Sequence, residues 1–142
     1  MADTLLVLLR VGRLAVEEAQ RSLAECLGAE MAAAEALSAL DAAITAETDA
    51  ASHVSADDRA VEGFGAWLQR ITVDRRAAAT ALIHAETRSA EARAVLASCR
   101  SSVRAAEALL ATQVEAARTA DERKEQAALD EATVARPTPQ RL

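Results

Sequence analysis

No proline stands between Met1 and Arg136; the two prolines of the chain are Pro137 and Pro139. Proline is the residue a helix interior tolerates least, because it lacks an N–H and its ring clashes with the preceding turn. Its absence over so long a stretch permits helices of unusual length. Ala, Leu, Arg and Glu dominate the chain, all good helix formers, while one Trp, one Phe and no Tyr leave little material for a sheet. With roughly a quarter of the residues alanine, a bulky globular core is excluded and an all-α fold is expected.

The spacing of apolar residues says how such helices pair. In the first segment Leu9, Gly12, Val16, Ala19, Leu23, Cys26, Glu30, Ala33, Leu37, Leu40, Ile44 and Glu47 follow alternating three- and four-residue steps. That spacing is a heptad seam, made imperfect by two glutamates and by Gly12 and Gly28 beside or on it. A second seam runs through Leu82, Ala85, Ser89, Ala92, Leu96, Cys99, Val103, Ala106, Leu110, Gln113, Ala117, Ala120, Lys124 and Ala127. Small residues let helices approach closely but bury little area each, so stability must accumulate over length.

Between the seams the pattern changes. Ser52, His53, Val54 and Ser55 propagate a helix poorly, and Gly63 and Gly65 add backbone freedom, so a reversal is expected there. Ser55 followed by Asp58 has the spacing of a capping box, which starts a short helix. The expected architecture is a long two-helix antiparallel coiled-coil hairpin, one domain over 1–134. Its helices cover about 4–51 and 74–134, its turn region about 52–72, and a flexible tail 135–142. A turn centred near Val61 and Glu62 makes facing residues sum to about 125, which pairs Leu40 with Ala85 and Ile44 with Leu82.

Charge narrows the function classes. The 22 acidic and 16 basic residues are mixed along the chain and leave a net charge of -6, which argues against a nucleic-acid partner held through phosphates. Leu5, Leu6, Val7, Leu8 and Leu9 form an apolar run too short to span a bilayer, with no basic leader and no small-residue cleavage site, so a cytoplasmic protein is expected. Cys26 and Cys99 form no CxxC pair and read as reduced thiols. His53 and His84 belong to no metal or phosphate motif, and Asp57 with Asp58 reads as a helix-start pair, so neither catalysis, a cofactor nor a metal is expected.

Two patches remain as binding candidates. Phe64, Trp67, Leu68 and Ile71 share one helix face, either to plug the turn or to anchor a partner. In a hairpin, Arg10 and Arg13 lie beside Arg118, Arg123 and Lys124, a charged end suited to an acidic socket or simply to solvent.

The opening Leu5-Leu6-Val7-Leu8-Leu9-Arg10-Val11 with Leu14-Ala15-Val16-Glu17, the central Phe64-Gly65-Ala66-Trp67-Leu68 and the closing Glu122-Arg123-Lys124-Glu125-Gln126-Ala127-Ala128-Leu129-Asp130-Glu131 together resemble the FliJ/YscO family, over nearly the whole chain. These are the central stalk proteins of flagellar and virulence type III secretion export ATPases. The resemblance implies an antiparallel coiled coil whose terminus-bearing end enters the pore of a hexameric export ATPase, without hydrolysing ATP itself. It further implies contact with the membrane export gate and with export chaperones, at the cytoplasmic face of the secretion apparatus. Arg10, Arg13, Arg118, Arg123 and Lys124 then become the ATPase-facing candidates, and Phe64, Trp67, Leu68 and Ile71 the gate-facing ones. The competing expectation is a self-associating coiled-coil scaffold unrelated to secretion, in which a homodimer covers the remaining apolar stripe.

Overall fold

The computed structural model describes residues 2–53 and 58–136. Two helices, α1 (Ala2–His53) and α2 (Asp58–Ala135), account for them, with no strand among the described residues. The all-α helical hairpin expected from the missing prolines and the heptad spacing is what the chain forms.

The turn region is much shorter than 52–72. Residues 58–73 belong to α2, without a separate short helix, and Gly63 and Gly65 lie within it. Neither glycine has positive φ, and a Cβ on either would meet nothing within 4 Å, so both are ordinary helical residues. Each costs a helix about 1 kcal/mol against alanine. That cost is offset by tertiary packing, since Phe64, Trp67, Leu68, Ile71 and Thr72 are all at least half-buried on the face that follows the glycines. Ser55, the expected cap, lies outside the described residues, as does the tail from Pro137 on. Ala135 is the last residue of α2 rather than the first of the tail.

The chain divides into two compact units, each an antiparallel helix pair. In the unit of residues 16–98, α1 contributes Val16, Ala19, Leu23, Cys26, Glu30, Ala33, Leu37, Leu40 and Ile44, buried or half-buried as their spacing requires, while Glu47 is exposed. From α2 come Ile71, Ala85, Ser89, Ala92 and Leu96, all buried. Ser89 is wholly buried, and neither its Oγ nor Glu30 Oε2 has a hydrogen-bond partner. An unpaired buried hydroxyl typically costs about 1–3 kcal/mol, so this seam holds together despite two of its members.

The other unit joins residues 1–15 to 99–142. Leu9 is its buried anchor, and Val103, Ala106, Leu110 and Gln113 are half-buried on α2. Gly12 sits where a Cβ would come within 3.0 Å of Val103 Cγ2, so its lack of a side chain is what admits Val103. Further along, the seam positions Ala117, Ala120, Lys124 and Ala127 are exposed, and every residue from 120 to 136 is exposed as well. With Gly12 against Val103, the first described residue of α1, Ala2, reaches about Gln113, and among the described residues α2 overhangs α1 beyond that point.

The register differs from the expected one in both units. A sum of 125 places His84 opposite Asp41 and Gln113 opposite Gly12. Arg75 and Val103 stand there instead, nine and ten residues earlier. The cause is the early start of α2, which moves the reversal toward the N-terminus. A slide of ten residues equals heptad steps of three, four and three, so the seams keep their faces while their partners change.

Candidate functional site

The candidate residues fall at two places, one in each unit. In the unit of residues 1–15 and 99–142, Arg13 reaches across to Glu107 at 3.5 Å, tying α1 to α2. Arg118 pairs within its own helix, with Glu115 at 3.1 Å and Glu122 at 3.6 Å. Both arginines are exposed, and pairs of this kind are worth little in water. Arg10, Arg123 and Lys124 are exposed and make no ion pair among the described residues. The five cations thus divide into two that stitch the helix surfaces and three whose charge is available to a partner. Arg123 also borders a shallow groove of about 650 Å³ along α2, lined besides by Ala111, Thr112, Glu115, Ala116, Thr119 and Ala120.

In the unit of residues 16–98 the aromatic pair sits at the start of α2. The rings of Phe64 and Trp67 stack with centroids 5.9 Å apart and planes inclined by 29°. Both are half-buried, as is Leu68, whereas Ile71 is only 8% exposed. Ile71 is therefore part of the helix pair's interior rather than an offered surface. The half-buried rings line a cleft of about 620 Å³. Its walls are small residues, Ala50, Ala51 and Ser52 from α1 and Ala60 and Gly63 from α2, with Val61 and Glu47 at its border. The sequence pattern pointed to the rings but not to the cleft, which depends on the small residues that the two helices bring opposite them.

The end of α1 beside this cleft is held by local hydrogen bonds. Ser52 Oγ donates to the Asp49 carbonyl at 2.8 Å, and His53 Nδ1 lies 2.7 Å from the same oxygen. A carbonyl only accepts, so Nδ1 carries the proton, and His53 serves as a C-terminal cap. Below the rings, Asp41 and Arg75 form a two-point pair, Nε to Oδ1 and Nη2 to Oδ2, the latter at 3.4 Å. The hydrogen bond from Arg75 to Asp41, followed by their Coulomb attraction, raises the guanidinium pKa above its ordinary value. This exposed cross-helix pair reports the register of the unit, which the start of α2 sets.

His84 is an exposed residue of α2. Asp57 lies outside the described residues. Cys26 and Cys99 are half-buried free thiols. Among the described residues no group of three or more His, Cys, Asp or Glu is placed to hold a metal ion, and no helix is long and apolar enough to cross a membrane. Compared with family models, with curated proteins and with solved structures, the chain matches none of them.

Proposed function

We propose that the chain is a non-enzymatic central stalk and regulator of a type III protein export ATPase, of the flagellar or virulence kind, working at the cytoplasmic face of the secretion apparatus. The observation that carries this reading is the overhang of α2. From Ala120 to Arg136 every side chain is exposed, and Arg123 and Lys124 project from a single helix with no ion partner among the described residues. A lone helix end bearing charges of both signs is shaped to enter a ring. Because such an end has no sixfold symmetry, it touches the subunits of a hexamer unequally, which biases assembly and couples nucleotide turnover to its own position. The chain supplies geometry and charge, while the ATPase supplies the chemistry.

In this reading Arg10, Arg123 and Lys124 meet the ATPase, with Arg13 and Arg118 holding the surface around them. The cleft of Phe64 and Trp67, with Leu68 beside it, receives the export gate, and chaperones are the remaining class of partner. Large rings in a partly desolvated pocket are the usual anchors of an interface. Reversing two charges tests the docking end. Arg123→Glu with Lys124→Glu is expected to raise the stalk concentration needed for half-maximal ATPase stimulation at least tenfold, with helicity by circular dichroism unchanged. Stimulation equal to that of the unaltered chain would remove the docking assignment. Trp67→Ala is expected to spare ATPase stimulation and weaken capture of the export gate's cytoplasmic domain.

A further inference from the structure

In the unit of residues 1–15 and 99–142 the charges keep to one side. On α1 they are Asp3, Arg10 and Arg13, spaced seven and three residues apart. On α2, up to the overhang, they are Arg100, Arg104, Glu107, Glu115 and Arg118, whose steps of four, three, eight and three also trace one face at 3.6 residues per turn. The ion pair between Arg13 and Glu107 shows that the two charged faces lie on the same side of the helix pair.

The opposite flank is uncharged on both helices. There, Thr4, Leu8, Val11 and Ala15 repeat at four, three and four residues along α1, and Ser102, Ala105, Leu109, Thr112 and Ala116 at three, four, three and four along α2. These are second heptad stripes, one residue away from the seam on each helix and not used by it. Leu8, Val11 and Leu109 remain 54%, 58% and 57% exposed. A stripe with heptad spacing, no charge and three large aliphatic groups in water is an unfilled helix-packing surface.

We propose that this flank is the interface of a twofold homodimer, in which the stripes of two copies close a four-helix bundle. Two observations favour a second copy over another occupant. The stripes continue the heptad spacing of the seam, the spacing that packs against another helix of the same period, as a second copy offers. Outside the three aliphatic groups the stripe is Ala, Ser and Thr, which allow helices to approach to 8–10 Å and give little to insert into lipid. The size sets the strength: the stripes are about 17 Å long on α1 and about 21 Å on α2 and together about 20 Å wide, on the order of 400 Å² per copy and 800 Å² in all, the range of weak, transient contacts. Association is therefore weak, and the dimer is populated only at high chain concentration. Arg123 is the first charge to return to this flank, and it marks the end of the interface.

The inference rests on the charge distribution, the heptad spacing and the exposed aliphatic groups of this flank, and not on the export-ATPase reading. Its test is light scattering or sedimentation equilibrium on the full chain from about 1 to 200 µM. The average mass is expected to rise from the 14.9 kDa of one chain toward twice that value. Leu8→Gln with Leu109→Gln, both at exposed positions, is expected to shift the dissociation constant at least tenfold at unchanged helicity. Ala116→Arg, which leaves the large side chains in place and suits a helix, is expected to do the same. A mass that stays at one chain throughout would overturn the proposal, whether or not that monomer binds phosphatidylglycerol vesicles. So would a dimer that survives both variants, or one abolished by Trp67→Ala, which would place the contact at the aromatic cleft.

Discussion

The two helix pairs spend their apolar residues differently. In residues 16–98, Ala19, Ile71, Ala85, Ala92 and Leu96 are buried and the exposed large side chains, such as Met31, Val73 and Ile83, are scattered. In residues 1–15 with 99–142 the buried apolar residue is Leu9, while Leu6, Val7, Leu8, Val11 and Leu14 crowd one short stretch of α1 with more than half of each side chain in water. A helix that is apolar nearly all round is normally a buried helix. The first pair has therefore turned its hydrophobic residues inward to hold itself together, whereas the second holds itself with few and carries the rest on its outside. The difference separates residues that make the fold from residues that are available to other molecules.

Substitutions that exchange the two roles would break this comparison. The largest effect is expected for Leu96→Ala, which empties a buried position and should cost about 2–4 kcal/mol in urea or thermal unfolding. Leu14→Ala removes a side chain of the same size from the outside of the other pair and should stay within about 0.5 kcal/mol. Equal losses would mean that the exposed leucines already pack within the single chain. A smaller change of opposite sign is expected at Ser89, whose buried Oγ has no partner. Ser89→Ala should raise stability by about 1 kcal/mol, and a loss would reveal a hydrogen bond made by that hydroxyl in solution.

The smallest effects sharpen the comparison at two glycines. Gly28 faces open space, so Gly28→Ala should gain about 0.5–1 kcal/mol from helix propensity alone. At Gly12 the new methyl meets Val103 at 3.0 Å, and that contact should cancel the gain or reverse it. The pair of variants, measured by thermal unfolding at low concentration, separates backbone preference from close packing. An equal gain at both positions would mean that α1 and α2 are not in contact at Val103.

Seam membership was legible in the sequence because it depends only on each helix's own period. Leu9 to Ile44 and Leu82 to Gln113 could be assigned without knowing what they face. Register was not legible, since it is set by the residue at which α2 begins. Gly63 and Gly65 suggested a turn, but the burial of Phe64, Trp67, Leu68 and Ile71 carries the helix through them to Asp58. Sequence spacing likewise brought the aromatic residues to one face without distinguishing the interior Ile71 from the cleft-lining Trp67. The charged end shows the same limit. Arg13 and Arg118 have the same composition signal as Arg10 and Arg123, and only the register and the local geometry reveal which have acidic partners.

The stalk reading gives the contact with the ATPase to the pair of residues 1–15 and 99–142. Its most direct test is a titration of the purified full chain into the hexameric export ATPase of the same cell, following hydrolysis and hexamer assembly by light scattering together. Saturable stimulation accompanied by assembly is the expected result. A folded, helical chain that neither binds the ATPase nor changes its rate would contradict the reading and leave a self-associating helical scaffold in its place.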